Sequence, residues 1–229
     1  MKTYDIFLFD ADGTLFDYDK AEEHALETMF GRCGLSYSED VRQKYRDINE
    51  TLWRRLEKGT VTIDELKTLR FDRLFADIGV SLDASEFNSR YLHELGSGTF
   101  LIDGAFEICR DLTARGKLLF IVTNGMLATQ QSRIEHSQIK DFISDFFVSA
   151  HIGFSKPSIE YFDYVFSKLP RVDKSKILII GDSLSSDVAG GNNAGIDTCW
   201  FNETGQANDT GIATTYEIRA LSELRRFII

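Results

Sequence analysis

Five short apolar runs punctuate the chain, at residues 6–9, 117–122, 142–148, 177–180 and 198–201. Each is nearly continuous rather than alternating, which is the pattern of strands buried on both faces in a parallel sheet. Between the later runs, residues 104–115, 127–138, 158–169 and 183–193 carry apolar positions at three-to-four spacing and predict crossover helices. The alternation predicts an α/β fold on an open, doubly wound parallel sheet.

One stretch breaks that rhythm. From residue 17 to about 98 no buried-strand run occurs, and amphipathic helical patterns cover 21–33, 39–57, 63–78 and 84–95. Glycine and turn residues separate them at 31–34, 58–60 and 79–83. An all-helical insertion at 17–97 is therefore expected inside a core formed by 1–16 and 98–229. It follows the first strand directly, and ligands of open α/β sheets bind beyond the carboxyl ends of the strands. The insertion is expected to form a lid over that edge.

Composition acts mainly by exclusion. With 43% hydrophobic residues and two prolines in 229, nothing reads as a linker or low-complexity tail. Twenty-six basic against 36 acidic residues give a net charge of -10, which argues against a nucleic-acid polymer or an anionic membrane surface as partner. A small anionic substrate remains open, because one metal ion and one lysine supply enough local positive charge. Cys33, Cys109 and Cys199 form no close pair, so free thiols are expected rather than a disulfide framework or zinc knuckle. His24, His93, His136 and His151 fall at unrelated spacings and suggest no metal site. The first ten residues are too short and acidic for a signal peptide, and no segment approaches the ~20 apolar residues of a membrane span. A cytoplasmic protein is expected.

The chemistry concentrates at the strand ends. The first strand runs into Asp10-Ala11-Asp12-Gly13-Thr14, where residues two apart share a face and two carboxylates enter one space. Such a pair repels unless a cation holds it or one member keeps its proton. It suits a nucleophile beside a general acid and base. Thr123-Asn124 follows the second run, Lys156 lies in Ser155-Lys156-Pro157, and Asp182 and Asp187 close the run at 177–180. Taken singly, these read as a turn, a strand exit, a surface lysine and a helix cap. Together they converge on one sheet edge.

In order and spacing the four elements resemble the motifs of the haloacid dehalogenase-like (HAD) phosphohydrolases: D-x-D-G-T, a Ser or Thr after the second core strand, a Lys, and G-D-x-x-x-x-D. The resemblance covers essentially the whole chain and implies a Rossmann-like core. It implies that Asp10 attacks phosphorus and that Asp12 protonates the leaving oxygen and later activates water. It places Mg²⁺ between Asp10, Asp182 and the backbone carbonyl of Asp12, with Asp187 behind them. Thr123 and the backbone around Ala11, Asn124 and Gly125 would hold the phosphoryl group, and Lys156 would neutralise its charge. True haloacid dehalogenases lack the second aspartate, so Asp12 favours phosphate chemistry.

A narrower resemblance, to the HAD pyrimidine nucleoside 5'-monophosphatases, rests on Asn49-Glu50-Thr51-Leu52-Trp53 with Gly59 and on residues 193–202. It implies a pyrimidine nucleoside monophosphate as substrate, with Phe16 and Trp53 as candidate base-enclosing residues. Ser149-Ala150-His151 depart from that pattern, which carries acidic residues there. Phosphosugar or phosphoglycolate phosphatases and β-phosphoglucomutase-like mutases share the core motifs. A phospho-receiver regulator is disfavoured by chain length and by D-x-D-G-T on the first strand, and a silent binding protein has no missing catalytic residue to support it. The sequence does not specify an oligomeric state.

Overall fold

The computed structural model describes residues 2–170 and 173–227. In chain order its main elements are β1 (Ile6–Phe9), α1 (Tyr18–Arg32), α2 (Glu39–Glu57), α3 (Ile63–Ile78), α4 (Ala84–Ser97), α5 (Ala105–Thr113) and β2 (Leu118–Thr123). They continue with α6 (Leu127–His136), β3 (Ile143–Val148), α7 (Ser149–Ile152), α8 (Ile159–Lys168), β4 (Ile177–Gly181), α9 (Ala189–Ala194), β5 (Asp197–Phe201) and β6 (Tyr216–Ile218). They fall into two compact units, one of residues 19–98 and one of residues 1–18 with 99–229.

The larger unit is built on a six-stranded parallel sheet in the order β3-β2-β1-β4-β5-β6. Successive side chains of β1 go to opposite faces, as strand geometry requires. Phe7 and Phe9 join Leu119, Ile121, Leu178 and Ile180 against Ile108 and Leu112 of α5 and Ile134 of α6. Ile6 and Leu8 join Phe120, Val122, Ile177 and Ile179 against Tyr161, Phe162 and Val165 of α8. Helices thus cover both faces. This accounts for the unbroken apolar runs of β1, β2 and β4, while β3 at the sheet edge exposes Ser144 and Asp145.

The strand order reverses between β1 and β4, so the connections diverge and open a crevice at the carboxyl ends of these two strands. Phe9 pairs in register with Ile121 on one side and Ile180 on the other. The Asp10 backbone N–H extends that pairing by donating to Ile180 O at 2.8 Å.

Two elements differ from the sequence expectation. β6 was not foreseen: three residues are too few for a periodic signal, and the strand exists because β5 offers it an edge. Residues 183–193 do not form one regular helix. A π-helical turn at Leu184–Val188, in which Val188 N–H reaches Ser183 O, precedes α9. Such widened turns occur mostly at functional positions.

The smaller unit is helical throughout. Thr62 caps α3 reciprocally with Glu65, Ser38 and Asp83 cap α2 and α4, and Gly79 ends α3 with φ of 70°. Its interior is aromatic: Phe71 lies 4.7 Å from Phe87 and 5.1 Å from Tyr91, centroid to centroid. Arg70 is buried there beside these rings. It donates from Nε and Nη2 to Asn88 Oδ1 at 3.1 and 2.5 Å and from Nη1 to the Tyr45 hydroxyl at 3.3 Å, with its guanidinium over Tyr91. Among the described residues no helix is long and apolar enough to cross a membrane.

Because Arg70 satisfies several buried groups at once, its loss leaves them desolvated without donors. Arg70→Ala should lower the unfolding free energy by about 3 kcal/mol in urea titration, and Arg70→Lys should recover little, since an ammonium lacks the planar fork. A loss under about 1 kcal/mol would show that the cluster does not hold the helices together.

Candidate active site

The carboxyl ends of β1, β2 and β4 deliver Asp10, Thr123 and Asp182 to the crevice, and the residues before α8 deliver Lys156. The turn after β1 is tight: Leu15 and Phe16 N–H both donate to Ala11 O, and Gly13 N–H donates to Phe16 O. Gly13 has φ of 77°, and a Cβ there would lie 2.7 Å from an Asp182 carboxylate oxygen. Only glycine lets the turn come this close to the end of β4.

Lys156 is the centre of the site. Its ammonium is buried and donates to Asp10 Oδ1 at 2.5 Å, Asp187 Oδ1 at 2.6 Å and Val122 O at 2.7 Å. Burial acts to lower the lysine pKa, but the charges of Asp10 and Asp187 outweigh it and hold the group above its ordinary value. The Asn124 side chain fixes the lysine from behind, accepting Lys156 N–H and donating to Lys156 O, both at 2.9 Å.

Asp187 is engaged at both oxygens, one by Lys156 and the other by Ser183 N–H at 3.1 Å. A Cβ on Gly181 would collide with this carboxylate, so the glycine at the end of β4 makes room for it. Trp200 on β5 donates its indole N–H to Asp182 O at 2.9 Å and steadies the start of the same loop.

One oxygen from each of Asp10, Asp182 and Asp187 lies within 4.8 Å of the others. Desolvation raises the Asp10 carboxyl well above its ordinary range, despite the opposing charge of Lys156. Asp182 is solvent-exposed, and desolvation, then the charge of Asp187, push its carboxyl up to about 7. Three carboxylates thus face one ammonium. An all-oxygen donor set with surplus negative charge fits a hard divalent cation such as Mg²⁺, with Asp10 and Asp182 the carboxylates best placed to hold it.

Asp12 stands apart from this cluster. Its two oxygens are taken by Gln130 Nε2 and Arg133 Nη1, both from α6. At the end of β2, Thr123 Oγ1 accepts Gly125 N–H at 3.0 Å, which leaves the hydroxyl hydrogen available to a ligand oxygen.

The predicted core residues Asp10, Asp12, Ala11, Thr123, Asn124, Gly125, Lys156, Asp182 and Asp187 all lie at the carboxyl ends of β1, β2 and β4 or in the segment before α8. Phe16 does not stand open as a base-enclosing residue would. It is fully buried in the core, with the Arg133 guanidinium 4.7 Å from its ring centroid. Trp53 is half-buried on α2. Gln130, Arg133 and Trp200 were not foreseen as site residues; Asn124 was, and its side-chain amide fixes the Lys156 backbone. The signal for the first two was present: a glutamine and an arginine occupy the buried face of α6 beside Ile134.

Residues 7–201 match the family profile of the haloacid dehalogenase-like hydrolases. The chain is 42% identical over 224 residues to the HAD-hydrolase YfnB of Bacillus subtilis, covering 98% of this chain and 95% of that protein. A crystal structure of YfnB bound to magnesium superposes with a TM-score of 0.93 at 41% identity, over 99% of both chains. Two pyrimidine 5'-nucleotidases are also similar. PynA of Streptococcus pneumoniae is 34% identical over 96% of this chain and 93% of its own, and YjjG of Escherichia coli is 30% identical over 98% of each.

A cation must displace protons from a site whose carboxyls have raised pKa values. With Asp182 at about 7, the folded metal-free site holds protons between the ordinary carboxyl value of 3.8 and neutrality, and these oppose metal binding. Millimolar Mg²⁺ should therefore raise the thermal unfolding midpoint more at pH 7.5 than at pH 5. An increase equal at both values, or absent at both, would show that these carboxylates do not bind the ion.

Proposed function

Because the chain belongs to the haloacid dehalogenase-like hydrolases, we propose that it is a Mg²⁺-dependent phosphomonoesterase. It works through an aspartyl-phosphate on Asp10 and takes pyrimidine nucleoside 5'-monophosphates as substrates. The observation that carries the reading is the Asp10 carboxylate, held by the buried Lys156 ammonium at the switch point of the sheet with a second carboxylate, Asp12, on the same turn.

In the first step an Asp10 oxygen attacks phosphorus in line with the ester oxygen. The P–O ester bond breaks, and Asp12 gives its proton to the leaving alcohol. In the second step Asp12 takes a proton from water, the water oxygen attacks phosphorus, and the bond to Asp10 breaks to release phosphate. The Lys156 ammonium and the Thr123 hydroxyl stabilise charge on the transferring group. Asp10, Asp182 and the Asp12 carbonyl would hold Mg²⁺, which would supply charge neutralisation to the transferring group. Asp187 and Asn124 fix the lysine and so act by positioning.

The pyrimidine preference is supported by PynA and YjjG, which match along nearly the whole chain. Phe16, whose ring is covered, is set aside as a base-enclosing residue, and Trp53 is the candidate left to test.

Asp10→Asn should abolish turnover in a protein with unchanged circular dichroism, because an amide is no nucleophile and a poorer ligand. Near-normal turnover would refute the mechanism. Chelation should inactivate the wild type reversibly, with Mg²⁺ restoring activity, and full activity in excess chelator would remove the metal.

UMP, dUMP and dTMP should outperform purine nucleotides and sugar phosphates in kcat/KM. Trp53→Ala should lower kcat/KM for UMP by about tenfold, since a lost base-stacking contact is worth about 1–3 kcal/mol, and should spare a small non-nucleotide phosphate. Equal losses on both substrates would assign Trp53 to helix packing. A sugar phosphate or phosphoglycolate that outperforms every pyrimidine nucleotide would overturn the substrate assignment alone.

A further inference from the structure

The carboxylate assigned to proton transfer is gripped at both oxygens by one helix. Gln130 Nε2 donates to Asp12 Oδ2, and Arg133 Nη1 donates to Asp12 Oδ1. The two donors stand at i and i+3 on α6, and three residues apart on a helix is the spacing that puts side chains on one face. This face is turned into the protein, where helices ordinarily place apolar residues. Gln130 is 2% exposed and Arg133 fully buried, while the Asp12 side chain remains 27% exposed.

A buried arginine needs strong compensation, and here two features supply it. Asp12 faces the guanidinium, and the Phe16 ring lies under it at 4.7 Å. The Phe16 backbone also closes the turn that carries Asp12, through its hydrogen bonds to Ala11 O and Gly13 N–H. The arginine therefore braces both the carboxylate and the turn beneath it. Gln130 also lies against Gly125, where a Cβ would overlap its amide. That close approach brings the brace against the segment that follows Thr123, the last residue of β2.

We propose that Gln130 and Arg133 are positioning residues that hold the Asp12 carboxylate at the leaving-group oxygen, so that α6 sets the efficiency of proton transfer while Lys156 serves nucleophilic attack. The inference rests on the acid and base role given to Asp12 above. It separates two functions within one site: Lys156 and its partners act on the phosphoryl group, and the α6 pair acts on the group that departs.

The separation is measurable through leaving-group dependence, because kcat/KM reports the step that expels the alcohol and an activated aryl oxide leaves without a proton. Gln130→Met, Arg133→Met and Arg133→Lys would be compared on an alkyl phosphate and on 2,4-dinitrophenyl phosphate, with circular dichroism to verify folding. Both methionine variants should lose about tenfold or more in kcat/KM on the alkyl ester, since small misplacement of a reacting group costs up to about a hundredfold. They should lose less than about threefold on the aryl ester, and Arg133→Lys should recover most of the alkyl activity. Adding Arg133→Met to Asp12→Asn should change little further, because the brace then has no acid to hold.

Equal losses on both esters would overturn the proposal and make the pair a packing element, and so would no loss on either. If Arg133→Met does not fold, Gln130→Met and Arg133→Lys carry the test with the same criteria. Asp12→Asn alone distinguishes the two levels. A leaving-group bias in Asp12→Asn without one in the α6 variants overturns this inference only, whereas no bias in Asp12→Asn overturns the acid role on which it rests.

Discussion

A single buried ammonium holds the site together. Lys156 bridges Asp10, Asp187 and a carbonyl at the end of β2, so it links segments separated by more than a hundred residues in the chain. Desolvating an ion costs several kcal/mol, and removing one partner from a buried pair typically costs about 3–5 kcal/mol, because the other charge remains without compensation. The rest of the crevice is arranged around that constraint. Asn124 clamps the lysine backbone, Ser183 takes the second oxygen of Asp187, and Gly181 leaves space for that carboxylate.

The same interaction leaves a deliberate imbalance. One ammonium cannot neutralise Asp10, Asp182 and Asp187; desolvation first, and the neighbouring carboxylates second, hold the Asp10 and Asp182 carboxyl pKa values up. The surplus negative charge is local to the sheet edge where the strand order reverses; a divalent cation carries complementary charge to it, and an anionic phosphoryl group depends on that cation together with Lys156. Asp12 instead faces Arg133 and Gln130 of α6. Two carboxylates two residues apart thereby experience different environments, which allows one to attack and the other to handle protons.

Much of this was legible before the structure. β1, β2, β4 and β5 are buried on both faces, so their sequences are largely apolar runs, whereas β3 at the edge of the sheet exposes Ser144 and Asp145; the helices between the strands repeat at helical spacing. D-x-D-G-T, Thr123, Lys156 and the pair Asp182 and Asp187 were readable because each sits at a strand end or helix start. What escaped was short or non-local. β6 is three residues supported by its neighbour, and the turn at Leu184–Val188 widens to bring Asp187 back onto Ser183. Arg133 meets Asp12 across 121 residues, and no periodicity reports such a contact. Phe16 was expected as an aromatic residue that could enclose a small base, yet its ring is buried in the core, the commoner place for such a side chain.

The central claim is that Asp10 takes the phosphoryl group covalently, and the stereochemical course at phosphorus tests it most directly. A substrate made chiral at phosphorus with oxygen isotopes or sulfur would be hydrolysed in isotopically labelled water and the configuration of the product determined. Two successive in-line displacements, first by Asp10 and then by water, give net retention, whereas a single direct attack by water gives inversion and would contradict the covalent role of Asp10.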